Sequence, residues 1–435
     1  MGAYVSTTAD TYAKVVGGDK SAMPDLMAII VLILFAVGVL LWILPYFQKP
    51  NRRPTAQDKI YELSAQLSKE IKGVDGFADV NKEGSGSFYT TLIRDLSADE
   101  QYLVNICPLT ASLGGYLGRK EPGAFDSAIY IKYALGMGIR SFILPISVYT
   151  DDNKFPPNWP LSGKPAITCR DANGKIISLN GLTVKKFCED LLLYGDTNGV
   201  QSREPIILYL RKTAKYIPDS VKEEKDYVKL MSDIAKDLEI IPTQRRLTSL
   251  GGFGSGVGSQ NESTILTQIP LTELRSKFII FTDFETKIAL KDAYKGVTPK
   301  LYDYTNFTVT LPESEKPGNA RSIRIGDISG SKINWEDRAR NIWHMTAEDD
   351  PLILPDTDLV DIAVTSGIQM IPVPFFMTPI KDTKPIINLW NGFAWKLKPP
   401  AARFKKPQPV QPKPPNPAMN ARVSPDLQPG QVSIQ

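Results

Sequence analysis

One feature dominates the hydrophobic pattern of the first hundred residues. From Leu26 to Gln48 no residue is charged, with Asp25 and Lys49 as the bounds. The core reads LMAIIVLILFAVGVLLWIL. About 20 apolar residues span a bilayer as a helix, and Trp42 and Tyr46 stand where interfacial aromatics belong. The competing reading is a secretory signal peptide, whose apolar region is shorter and is followed by small residues at a cleavage site. This stretch is long and ends in the bulky WILPYFQ. It therefore predicts a retained transmembrane helix over 26–48, preceded by an N-terminal segment, 1–25. Lys49, Arg52, Arg53 and Lys59 follow the helix, whereas only Lys14 and Lys20 precede it. Basic flanks stay inside, so the expectation is a single-pass membrane protein whose soluble part faces the cytoplasm.

Residues 49–94 read as a linker and a helix. Over 61–72, YELSAQLSKEIK, helical spacing brings Tyr61, Leu67 and Ile71 near one another, flanked by Leu63 and Gln66. From about 95 to 400, short β-rich runs alternate with helical segments. Strands are expected at 139–149, 165–169, 205–210, 277–283 and 366–373, and helices at 184–194 and 221–239. In the second helix Tyr227, Leu230, Met231, Ile234 and Leu238 form one stripe opposite Lys and Glu. That alternation reads as α/β with a largely parallel sheet. Residues 401–435 include PQPVQPKPPNP, a disordered or polyproline-II tail. It is either a docking strand for a partner or a solvated spacer.

Composition narrows the classes. In 435 residues, 51 Lys and Arg against 47 Asp and Glu leave a net charge of +4, without a nucleic-acid footprint. With 42% hydrophobic and 23% charged residues, a disordered chain, a collagen and a polytopic membrane protein are excluded. Cys107, Cys169 and Cys188 form no CxxC pair and read as reduced thiols facing the cytosol. His344 is the single histidine, so any mechanism built on a histidine pair is excluded. Gly2 with Ser6 fits the myristoylation pattern; the alternative is an unmodified start. Acylation happens in the cytosol, yet the charge rule puts this end across the membrane, and a looped N-terminus would reconcile the two. The Gly-rich run 251–259, GGFGSGVGS, is followed by Gln260, Asn261 and Glu262 instead of the Lys-Ser/Thr pair of a phosphate loop. It reads as a surface loop.

At 105–149 the order of residues becomes specific. NICPLTASLGGYLG is followed after a gap by YALGMGIRSFILPISVY. Then come KPAITCRDANGKIISLNGLTVKKFCEDL, REPIILYLRKT, IPLTELRSKFIIFTD, GIQMIPVPFF and NGFAWKLKP. In this order the pieces resemble the catalytic domain of the phosphatidylinositol-specific phospholipase C family, over about 95–400. The resemblance implies a distorted TIM-like (β/α) barrel of the PLC-like phosphodiesterase type, with its site on loops at the strand C-termini.

The family cleaves phosphodiesters with two histidines acting as general base and acid. Here Leu113 and Cys169 stand at those positions. Leu113 carries no proton, and no activating base is apparent for Cys169. The family's calcium ligands, oxygens of the kind that ion needs, correspond to Gly114, Ile143, Pro145 and Arg211. The phosphate-binding lysines correspond to Phe281 and Asp283. The expectation is therefore a pseudoenzyme with no cofactor and no metal. Its role would be a membrane-anchored structural or interaction scaffold. Such degenerate, tethered members look similar to virion proteins of large DNA viruses with an internal membrane, so the expected partners are lipid membrane and proteins of a capsid or virion, not nucleic acid. Two other readings stand beside it. One is a phosphodiesterase with altered chemistry at a polarised Cys169. The other is a phosphoinositide-binding module using Arg140, Arg170 and Arg211.

Overall fold

The structure is a computed structural model. It describes residues 10, 12–18, 23–47, 55–72, 93–94, 96–118, 122–147, 164–171, 174–197, 204–213, 220–247, 269–311, 320–330, 340, 342–347, 352–391 and 393–406. Gly2, the Gly-rich run 251–259 and the tail from 407 lie outside the described residues. The chain divides into two units, Met1–Asp58 and Lys59–Gln435.

In the first unit the uncharged run is helical, Met23–Phe47. Over the expected span, 26–48, the helix runs to Phe47. Side chains of this helix are described at Pro24 and over 27–42, which is about 24 Å at 1.5 Å per residue. Among the described residues, no helix is long and apolar enough to cross a membrane.

The second unit is built on eight parallel strands, which we number β1 (Thr110–Ala111), β2 (Ser141–Ser147), β3 (Ile206–Lys212), β4 (Phe278–Thr282), β5 (Phe307–Thr310), β6 (Ala320–Arg324), β7 (Trp343–Ala347) and β8 (Pro372–Val373). Their spatial order follows the chain from β1 to β7, and β8 lies beside β1. A parallel bridge between Met345 and Met370, with Thr346 N–H donating to Met370 O at 2.9 Å, brings β7 next to the lead-in of β8. The sheet is thus a nearly closed parallel barrel.

Side chains on the strands alternate between two cores, as the period of two requires. Phe142, Leu144, Leu208, Leu210 and Ile280 join the helix-facing cluster with Tyr227 and Met231. Ile143, Ile207, Tyr209, Ile279, Phe281, Trp343 and Met345 form the other, in the lumen. The lumen is filled by side chains and is no pore. Leu103, Ile106 and Trp395 belong to the same inner cluster; the antiparallel pair Ile106–Pro108 and Trp395–Leu397 lies where the chain enters β1.

Helices Ser127–Gly136, Val184–Thr197 and Val221–Leu238 connect successive strands. Asp126 and Ser220 cap the first and third by accepting from Ile129 N at 2.9 Å and Glu223 N at 3.3 Å. The stripe expected on the third is buried from Tyr227 to Leu238. Three expectations need correction. The 165–169 run yields only Ala166–Ile167, antiparallel to β2, and only the last two residues of 366–373 form a strand. In helix Ala56–Lys72 the buried stripe is Ile60, Leu63 and Leu67, while Tyr61 is 80% exposed. Spacing of three and four defines one helical face, and Tyr61 lies off it.

Candidate functional site

Enzymes on such barrels work at the C-terminal ends of the strands. The first turn there is Ser112-Leu113-Gly114-Gly115, directly after β1. Leu113 has φ 48° and is buried in the apolar cluster. A leucine in the left-handed region is uncommon, and here burial of its side chain accompanies it. Gly114 N–H donates to Ile143 O at 2.8 Å, which docks the turn on β2. A Cβ at Gly114 would stand 2.5 Å from Leu144 Cδ2 and 3.3 Å from Phe187. The position therefore has no room for an asparagine side chain without repacking.

Ladder register brings the other expected positions together. Ile143 pairs with Tyr209 and Pro145 with Arg211; Tyr209 in turn pairs with Phe281. Ile143, Tyr209 and Phe281 point into the lumen as one apolar layer. Above it Asp283 Oδ1 accepts from Lys212 N–H at 2.6 Å. Burial pushes the Asp283 carboxyl up to about 6, while that backbone bond and the charges of Arg211 and Lys212 pull the other way. On the outer side Lys212 Nζ pairs with Glu285 Oε1 at 2.6 Å, and the Tyr227 hydroxyl donates to Glu285 Oε2. Burial, followed by the Glu285 charge, raises the Tyr227 phenol. The charge pair thus lies on the helix side of β3, and on the lumen side Asp283 is held by the Lys212 backbone N–H.

Cys169 is fully buried. Its neighbour Tyr116 is a phenol that burial, and then Cys169, keeps protonated, so it is not an activating base. The Tyr116 hydroxyl accepts from Gly123 N–H at 2.8 Å. Arg170 donates from Nη2 to Ser147 Oγ at 3.0 Å and from Nη1 to Gly174 O at 2.5 Å, and burial lowers its pKa. Arg170 and Arg211 therefore both lie toward the C-terminal ends of the strands. Arg140 does not. It precedes β2 and pairs with Glu204 just before β3, five residues upstream of Pro145, or about 17 Å along a strand. The three arginines do not converge.

His344 sits near the start of β7, away from the mouth. It is 4% exposed, and its backbone N–H donates to Gln369 Oε1 at 2.7 Å. Burial, and then the Lys398 charge, push its pKa down to about 3. Among the described residues no group of three or more His, Cys, Asp and Glu side chains could hold a metal ion. The network Lys212–Glu285–Tyr227 escaped the sequence reading. Tyr227 was visible as a stripe residue, but nothing local marks Glu285 as its partner.

No protein-family model matches the chain, and no curated protein matches it in sequence. Solved structures similar to it include PLC21 from L. pealei, with 15% identity and TM-score 0.42, covering 71% of this chain and 39% of that one. A calcium-dependent phosphoinositol-specific phospholipase C from Pseudomonas sp. has 12% identity and TM-score 0.42, covering 73% and 100%. A glycerophosphodiester phosphodiesterase from Parabacteroides distasonis has 10% identity and TM-score 0.34, covering 65% and 98%. The chain thus spans 39% of the length of the L. pealei protein.

Proposed function

We propose that this chain is a degenerate barrel of the phosphatidylinositol-specific phospholipase C type, anchored to a membrane and used as an interaction scaffold without turnover. The observation that carries the reading is the content of the mouth. Leu113 and Cys169, at the positions matching the family's two histidines, are both buried, and Ile143, Tyr209 and Phe281 fill the layer beneath. General acid–base catalysis contributes about 10²–10⁴-fold per positioned group, and neither position supplies one. The positions matching the metal ligands offer no oxygen side chain.

The anchor rests on the uncharged run Leu26–Gln48 and on the exposure of Val31, Leu34, Phe35, Leu40 and Trp42 on its helix. Apolar surface all round a helix needs cover. The basic flank after it favours a cytoplasmic barrel. Tethering an internal virion membrane to a capsid layer is the assembly this arrangement would serve.

The test is the full chain in detergent micelles containing phosphatidylinositol, with and without calcium. No release of inositol phosphate above background is expected. A second reading, altered phosphodiester chemistry, draws support from Asp283, a buried carboxyl near neutral pH beside Arg211. Turnover abolished by Asp283→Asn or Cys169→Ala would establish that reading and end the first.

A further inference from the structure

Asn105 holds Phe404 by both backbone groups. Its Nδ2 donates to Phe404 O and its Oδ1 accepts from Phe404 N–H, both at 2.8 Å. The Phe404 ring meets Tyr102 edge-on, with centroids 5.6 Å apart. Glu100 pairs with Arg403 at 3.3 Å and with Lys405 at 3.0 Å, and Lys406 N–H donates to Asp99 O at 2.9 Å. The chain is thus fixed through Lys406 beside the entry to the barrel, away from the mouth. Lys405 is paired, whereas Lys406 is exposed.

The sequence that starts at this fixed point is KPQPVQP. It sets Lys406, Pro409 and Pro412 at intervals of three. A polyproline-II helix has three residues per turn and rises about 3.1 Å per residue, so in that conformation the three share one edge about 19 Å long. Within 399–435 no other Lys or Arg is followed by proline at both intervals. Residues 401–435 carry Arg403, Lys405, Lys406, Lys413 and Arg422 against Asp426 alone. That charge suits an acidic groove. A basic residue one turn ahead of two spaced prolines matches the aromatic-lined, acidic-ended groove of SH3 domains. The tail has no tyrosine or tryptophan for grooves that read an aromatic side chain beside the prolines.

We propose that Lys406–Pro412 is a docking strand for an SH3-type domain, with Pro409 and Pro412 in its aromatic pockets and Lys406 in the acidic one. Proline fixes φ before binding, and the hold on Phe404 fixes where the strand begins. Both lower the ordering cost of docking. The proposal rests on the scaffold reading for the purpose of the partner. The phosphatidylinositol assay reads the mouth and the binding assay reads the tail, so either can fail alone.

The test is the full chain in detergent micelles against a panel of purified SH3 domains, with a panel of WW domains beside it, read by biolayer interferometry. Binding to at least one SH3 domain is expected, and to no WW domain. For that SH3 domain, Pro409→Ala and Pro412→Ala should each weaken binding about tenfold, and Lys406→Ala about fivefold. Lys405→Ala should stay within about twofold of wild type. The same spacing recurs at Lys154, Pro157 and Pro160, but Asp151 and Asp152 precede it, so Pro157→Ala should change nothing. No binding by any SH3 domain, binding by WW domains, or binding unchanged when Pro409→Ala and Pro412→Ala are combined would overturn the proposal. So would equal losses from Lys405→Ala and Lys406→Ala, or a loss from Pro157→Ala.

Discussion

Arg140 Nε and Glu204 Oε2 lie 2.5 Å apart in an ion pair whose side chains are 5% and 3% exposed. Arg140 Nη1 also donates to Leu135 O and Ile139 O, both at 3.0 Å. The guanidinium thus ties the end of helix Ser127–Gly136 to the starts of β2 and β3. Removing one partner of a buried pair leaves the other charge uncompensated, at about 3–5 kcal/mol. Arg140→Ala and Glu204→Ala should each lower the urea-unfolding free energy by that order. Arg140→Met with Glu204→Leu should recover most of the loss. A phosphoinositide-binding defect in Arg140→Ala with stability unchanged would instead make this arginine a ligand contact.

Asp283 predicts a pH dependence of the opposite sign to an ordinary paired carboxylate. Its folded pKa is raised from 3.8 to about 6, so the folded state binds more protons than the unfolded one between those values. Stability should therefore fall as pH rises from about 4 to 6 and level off above. The two-unit rise corresponds to about 3 kcal/mol. Asp283→Asn keeps an acceptor for Lys212 N–H and should remove this slope. Urea midpoints at pH 4.5 and 7.5, taken as the difference between wild type and variant, measure it. Equal slopes in both proteins would refute the assignment.

Helix Ala56–Lys72 packs through Leu63 and Leu67, which are 5% and 6% exposed, while Tyr61 is 80% exposed. Glu70 Oε2 also accepts from Ile380 N–H at 3.2 Å. Leu63→Ala and Leu67→Ala should each cost about 2–5 kcal/mol, and Tyr61→Ala should stay within about 0.5 kcal/mol. Thermal unfolding of the full chain ranks the three. A larger loss from Tyr61→Ala would restore the face first read from the sequence.

How far the sequence could be read follows from strand length and contact range. β2, β3 and β4 show as unbroken apolar runs because they face two cores at once. β1 and β8 are two residues each, too short to show any period. β6 reads ARSIR with Arg321 and Arg324 exposed and Ile323 half-buried, so its small buried Ala320 and Ser322 give no hydrophobic signal. At the site, motif order placed Ile143, Pro145 and Arg211 on neighbouring strands. It could not foresee Glu204 beneath Arg140 or Glu285 beside Lys212, since those partners lie 64 and 73 residues away along the chain. The stripe on helix Ala56–Lys72 is hard to read because its first anchor, Ile60, lies before 61–72, in a stretch whose other residues are polar or small.

Lys398 is fully buried where the chain enters the barrel, with its backbone N–H donating to Asn105 O at 2.9 Å. Burial lowers its pKa from 10.5 to about 7, and the neighbouring Cys107 works slightly against that shift. Between those values the unfolded state binds more protons than the folded one. Stability should therefore rise as pH goes from about 7 toward 10, and the full cost is present below 7. That cost is on the order of 5 kcal/mol. Lys398→Met keeps the aliphatic stem, removes the charge, and should be more stable than wild type by that order at pH 6. Burial raises the Cys107 thiol to about 12 against the pull of the Lys398 charge; because the variant lacks that charge, this effect of opposite sign cancels only below about pH 8, where the thiol is protonated in both states. The measurement is guanidinium unfolding of both proteins at pH 6, 8 and 9.5, with the gap narrowing as pH rises. A wild-type protein more stable than the variant at pH 6 would mean that the ammonium is held charged by partners strong enough to outweigh its burial.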